Sequence, residues 1–132
     1  MIVLDTHALV WWVSGQAGLL GAGAAAAIER ERSTDGIRIS SISAWEIALL
    51  VERQRLTLNR EVSSWLAKVE QIPGVAFVPV TNAVAIEAVN LPGNFHRDPA
   101  DRMIAATARI LNASVVTKDS RLIDYPHIAT LW

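Results

Sequence analysis

The chain has 132 residues, a formal net charge of −1 and no cysteine. That length supports a single domain spanning 1–132, the near-neutral charge gives no overall basic footprint for nucleic acid, and the missing thiols exclude disulfides, thiolate metal sites and cysteine nucleophiles. Hydrophobic residues make up 52% of the sequence and charged residues 19%, a core-rich balance that argues against disorder.

Ile2, Val3 and Leu4 form a short apolar run ending at Asp5, as expected of a strand buried on both faces. Thr6 is placed to cap a helix from about His7 to Val13. The opening MIVLDTHALVWW has no basic n-region, so it reads as a strand and a helix start rather than a signal peptide. No apolar run is long enough to span a membrane, and the absence of cysteine fits a reducing, cytoplasmic setting. Gly15, Gly18, Gly21 and Gly23 loosen the next segment, and Ala24 to Arg32 forms a helix. Asp35-Gly36 turns into a second strand, Ile37 to Ser40, and Ser43 opens a helix running to about Arg53.

Asn59 suits the cap of a helix over Arg60 to Gln71, with Val62, Trp65, Leu66 and Val69 on one face. Pro73-Gly74 breaks it, Val75 to Val80 is a third strand, and Thr81 or Asn82 starts a helix ending near Leu91. Asp98 as N-cap, Pro99 at the first helical position and Asp101 at the third open an apolar helix that ends at Asn112-Ala113. Ser114 to Thr117 is the fourth strand, a short helical turn follows Asp119, and Ile128 to Trp132 is the last strand. Strands alternating with helices predict an α/β fold with a parallel sheet covered on both faces.

Four acids look misplaced for solvent-facing charges. Asp5 and Asp119 each follow a buried strand, Glu46 lies inside SAWEIALL, and Asp101 opens an apolar helix. In a parallel sheet, strand ends and the helix starts that follow them share one edge, so these acids would meet there. Converging carboxylates repel one another, and a hard divalent cation resolves the conflict. All-oxygen ligands without cysteine point to Mg²⁺ or Mn²⁺, and such a site suits hydrolysis at phosphorus.

A structural role competes with each assignment. Acids in a first helical turn complement the helix dipole, and an Asp after a strand often caps the next turn. Asp98 is either a fifth acid or the cap alone. Thr6 and Ser43 are candidates to orient a ligand or water, with capping the simpler use for Ser43. Arg97, Arg102, Lys118 and Arg121 flank the acids and are candidates to hold a nucleic-acid backbone, against a plain solvated face. Glu87 reads as a salt-bridge or rim residue and Asp124 as a turn residue. His7, His96 and His127 lack metal-ligand spacing, and the five tryptophans read as core or interface rather than a base-stacking stripe.

Taken together, IVLDTHALVWW, SISAWEIAL, DPADRMIAATA, VVTKD and IATLW resemble, in this order, a PIN-domain protein, and more narrowly the VapC-like toxins of bacterial toxin–antitoxin pairs. The resemblance covers essentially the whole chain. It implies a five-stranded parallel sheet in order 3-2-1-4-5 flanked by helices, and a Mg²⁺- or Mn²⁺-dependent endoribonuclease. Its catalytic and metal-binding acids fall on Asp5, Glu46, Asp101 (with Asp98 just before it) and Asp119, and its hydroxyl residue on Thr6. It also implies a homodimer and a small cognate antitoxin that covers the site. Trp11, Trp12 and the Ala24 to Arg32 helix are candidate partner-facing surface.

Other classes fit less well. An aspartyl-phosphate enzyme built on Asp5 would want a second Asp where this chain has His7, and a receiver module would want an Asp where it has Pro79-Val80-Thr81. A non-catalytic binding module would not need four acids on one edge. A PIN-fold nuclease acting on DNA or in RNA processing stays open beside the toxin reading.

Overall fold

The computed structural model describes the backbone of residues 1–132 and every side chain except that of Ala17. Five parallel strands form one sheet in the order β3-β2-β1-β4-β5, as the resemblance implies. Strand β1 (Ile2–Leu4) is central, between β2 (Ile37–Ser40) and β4 (Ser114–Val116). Beyond β2 lies β3 (Val75–Val78), and beyond β4 lies the two-residue β5 (Thr130–Leu131). The last two differ from the expected strands mainly by being shorter.

The alternation of β1 shows how the core is divided. Ile2 and Leu4 point into the larger cluster, under α1 (Thr6–Val13), α2 (Ala22–Glu31) and α4 (Val62–Glu70). Val3 points to the other face, against Ile104 and Ala108 of α6 (Pro99–Leu111) and Val115 of β4. Both clusters exclude water almost completely, so every β1 side chain is buried. Helix α5 (Asn82–Val89) packs on α6 and closes a smaller cluster with Leu122 and Tyr125.

Several helix starts differ from the sequence expectation. Asp5, not Thr6, caps α1, its Oδ1 accepting from Ala8 N at 2.8 Å. Glu61, not Asn59, caps α4, accepting from Ser63 N and Ser64 N. Ser43 lies inside the first turn of α3 (Ile42–Glu52) and caps nothing; Ser40 Oγ accepts from Ile42 N instead. A turn of 3₁₀ helix, Ala17–Leu19, sits in the glycine-rich segment. The Asp98 cap and Pro99 start of α6 are as expected, and Asn112 ends that helix at φ +51°, a left-handed conformation Asn tolerates. Asp119 caps α7 (Ser120–Ile123). Among the described residues, no helix is long and apolar enough to cross a membrane.

Candidate active site

The parallel register carries the acids to the C-terminal edge of the sheet. Leu4 pairs with Val116, and Asp5 N continues the ladder by donating to Val116 O at 3.1 Å. The residue after Leu4 therefore lies beside the residue after Val116, and Thr117 donates its hydroxyl hydrogen to Asp5 Oδ2. The same Thr117 Oγ1 accepts from Asp119 N at 3.0 Å. One buried threonine thus ties the acid that ends β1 to the acid that follows β4.

A cleft opens over this edge. Asp5, Thr6, His7 and Trp11 line it from the start of α1, and Glu46 from α3. Asp98 and Asp101 enter from the start of α6, and Lys118, Asp119 and Arg121 from the chain between β4 and the end of α7. The four acids singled out in the sequence come together here, with Asp98 among them.

Their electrostatics follow from that gathering. Burial pushes the Asp5 carboxyl up most, the charge of Asp101 adds to this, and the Thr117 and Ala8 hydrogen bonds and His7 oppose it. Burial also raises Glu46, helped by the charges of Asp101 and Asp98 and opposed by the Thr6 hydroxyl. Asp101 is raised by burial and by Asp98 and Asp119, against its bond to His96, whose Nε2 stands 2.6 Å from Oδ2. Asp119 goes the other way, lowered chiefly by its hydrogen bond from Arg121. Three carboxyls held above their ordinary range by burial and neighbouring acids form a site short of positive charge.

The donor set fits a hard divalent cation by its chemistry, being all oxygen and strongly acidic in one cleft. Among the described residues, no three acidic or imidazole groups stand at metal-holding spacing as placed. Asp101 Oδ2 is turned to His96 and lies 3.4 Å from Arg121 Nη2, and Asp119 is held by the same guanidinium. The His96 ring and the Arg121 guanidinium occupy carboxylate oxygens that a metal would take.

The auxiliary and basic residues divide clearly. Thr6 Oγ1 and Ser43 Oγ share a buried hydrogen bond of 2.9 Å, so Ser43 braces Thr6 rather than a helix end. Lys118 and Arg121 line the cleft. Arg97 is exposed and outside its lining. Arg102 departs from the expected substrate role: its guanidinium donates to the carbonyls of Ala88, Val89, Phe95 and His96, clamping α5 and the loop before α6. Glu87 pairs with Arg109 at 2.7 Å.

Sequence reasoning missed Thr117 and Trp11. A threonine in a strand is ordinary on propensity grounds, and only the β1–β4 register marks it. Trp11 reads from the sequence as core, interface or partner-facing surface, and the structure puts it in the cleft lining; its position one turn after His7 on a helix leaving Asp5 is the signal for that.

The PIN domain family model matches residues 2–128. Ribonuclease VapC22 of Mycobacterium tuberculosis is 39% identical over 133 residues, covering 99% of this chain and 98% of that protein. The chain belongs to the PIN domain family, on its VapC-like branch. Among solved structures, VapBC2 from Rickettsia felis bound to a promoter DNA fragment matches with a TM-score of 0.69 at 19% identity, covering 98% of this chain and 97% of that one. FitAcB from Neisseria gonorrhoeae matches with a TM-score of 0.67 at 21% identity, covering 98% and 96%. At those identities the likeness is one of fold.

Proposed function

We propose that this VapC ribonuclease homologue is a Mg²⁺- or Mn²⁺-dependent endoribonuclease that hydrolyses RNA phosphodiester bonds. In this reading residues 1–132 act as one PIN domain, the cytoplasmic toxin of a toxin–antitoxin pair held inactive by a small cognate antitoxin. The observation that carries it is the convergence of Asp5, Glu46, Asp101 and Asp119, from four separate stretches of chain, in one cleft where three of them are pushed up by burial and by neighbouring acids.

Asp5, Glu46, Asp101 and Asp119 would hold the cation. When bound, it supplies a water of lowered pKa and neutralises charge on the scissile phosphate and the leaving oxygen. Thr117 fixes Asp5 and Asp119 relative to each other, and the Thr6–Ser43 pair stiffens the wall beside Glu46. Asp98 accepts from Asp101 N at 3.1 Å, so it orients the start of α6 while adding negative charge. Lys118 and Arg121 offer cations to the flanking phosphates. A basic antitoxin side chain entering this cleft would compete for the same carboxylates. The exposed apolar residues Trp45 on α3 and Ile86 and Val89 on α5 provide surface for a second copy or for the antitoxin.

Incubating total RNA with the purified protein, Mg²⁺ or Mn²⁺, an EDTA control and the Asp5→Asn variant tests this. Discrete cuts lost in both controls are the expected result. Cuts that survive both would remove the site assignment, and intact RNA beside cut DNA would replace the substrate class.

A further inference from the structure

The cleft has an aromatic wall that the chemistry of the acids does not require. His7 and Trp11 lie one turn apart on α1, on the side opposite Leu9, which is buried in the core. Their ring centroids are 5.8 Å apart with planes inclined at 50°. Behind Trp11 stands Trp132, edge-on at 5.8 Å and 66°.

Trp132 is itself seated closely. A Cβ on Gly21 would lie 2.6 Å from Trp132 Cδ1, so only glycine lets the start of α2 approach that indole. The Trp11 ring is therefore braced from behind by a second indole, while His7 is exposed at the mouth. Both rings share the cleft with Asp5 and Glu46 and with the cations Lys118 and Arg121.

We propose that His7 and Trp11 form a stacking wall that holds a base next to the scissile phosphate. The inference rests on the nuclease reading above and names the residues that would seat the substrate beside the acids. A base has an apolar π-face and a charged backbone. An aromatic wall beside phosphate-binding cations matches both, and stacking tolerates any base because each presents such a face. A paired base keeps its faces inside the helix stack and offers the wall nothing.

The test is binding of a fluorescein-labelled single-stranded RNA decamer of mixed sequence, and of the same decamer as a duplex. It is run in EDTA on the Asp5→Asn background, so the RNA stays intact and one acidic charge is gone. Trp11→Leu, which keeps apolar contact with Trp132, and His7→Ala, at an exposed position, should each weaken single-strand binding about 5- to 100-fold. Trp11→Phe should hold within about 3-fold, because a ring remains. Duplex binding should be unchanged. Equal single-strand binding by Trp11→Leu and Trp11→Phe, an equal loss for single strand and duplex, or no single-strand binding by the parent would overturn the wall. If the wall behaves as expected while the wild-type protein cuts no RNA with Mn²⁺, the nuclease reading fails and the base site stands. If RNA is cut but Trp11→Leu binds normally, the reverse holds, and an antitoxin contact becomes the use of these rings.

Discussion

Arg121 holds Asp119 with two arms: Nε lies 3.2 Å from Oδ1 and Nη2 lies 3.0 Å from Oδ2. The same Nη2 reaches to 3.4 Å from Asp101 Oδ2, so one guanidinium spans two of the four candidate metal ligands. A cation entering the cleft must take those oxygens from it. Arg121 is largely exposed, and exposed ion pairs are weak, so it is a displaceable counter-charge. Arg121→Ala should tighten Mn²⁺ binding roughly two- to five-fold in calorimetry, while RNA affinity falls because a phosphate-binding cation is lost. Weaker Mn²⁺ binding in the variant would show that Arg121 assembles the site instead.

The raised carboxyls set the pH behaviour of the metal-free protein. Asp5, Glu46 and Asp101 hold protons in the folded state that they release when unfolded. Their contribution to stability in EDTA should therefore be fullest below the ordinary carboxylate range and be lost as pH rises from there through the raised values, while the lowered Asp119 contributes in the opposite sense. Asp5→Asn removes one contributor and keeps an oxygen for Ala8 N and an amide to donate to Thr117. Its melting temperature in EDTA near neutrality should exceed wild type by on the order of 3–5 °C, with a shallower fall over that range. Added Mg²⁺ should raise the wild type more than the variant. A variant less stable than wild type in EDTA would mean that the hydrogen bonds outweigh the burial of charge at Asp5.

Thr117 carries the link between Asp5 and Asp119. Thr117→Val preserves shape but takes the donor from Asp5 and the acceptor from Asp119 N, leaving polar groups unmet at a buried position. A stability cost of about 1–3 kcal/mol is expected in urea denaturation. Metal affinity or RNA cleavage should fall roughly 10- to 100-fold. Thr117→Ser keeps the hydroxyl and should recover most of both. If Ser is as impaired as Val, packing of the methyl matters more than the bridge.

The sheet and its acids were legible in the sequence because their signals are local. Ile2-Val3-Leu4 ending in Asp5 marks a buried strand and its exit, and Asp98-Pro99 with Asp101 at the third helical position marks a helix start. The β1–β4 register lies beyond local pattern, since it pairs residues more than a hundred positions apart, and with it went Thr117. Asp5 as cap was hidden by Thr6, an equally good capping type one residue on. The sequence leaves the directions of Trp11 and Arg102 open for a shared reason: residue type alone does not say which way a side chain on a half-buried helix points. Arg102 turns inward to four carbonyls, and Trp11 turns outward to the cleft.

The different placements of Lys118, in the cleft lining, and Arg102, turned to backbone carbonyls, are measurable. Lys118→Ala should weaken RNA binding across sequences and reduce the slope of affinity against salt by roughly one contact, with little change in stability. Arg102→Met should lower stability by about 1–3 kcal/mol, because four carbonyls, three of them at part-buried bonds, lose a charged donor, and leave the salt slope unchanged. An altered slope for Arg102→Met with unchanged stability would return Arg102 to the substrate path.

Helix α5 presents Ile86 and Val89 to solvent at 60% and 75% exposure, three positions apart on one face. Its opposite face, through Val84 and Ala88, is already committed to α6, Leu122 and Tyr125. Two large aliphatic side chains on one stripe are costly to leave in water, and a second copy of the chain bringing the same stripe would cover them. Val89→Glu should therefore shift a homodimer towards monomer in light scattering, by at least about tenfold in dissociation constant if the residue lies at the interface centre. Melting of the isolated monomer should change little, since an exposed side chain leaves the core untouched. A wild-type protein that is monomeric at tens of micromolar would remove the homodimer from the proposal and leave this stripe to the antitoxin.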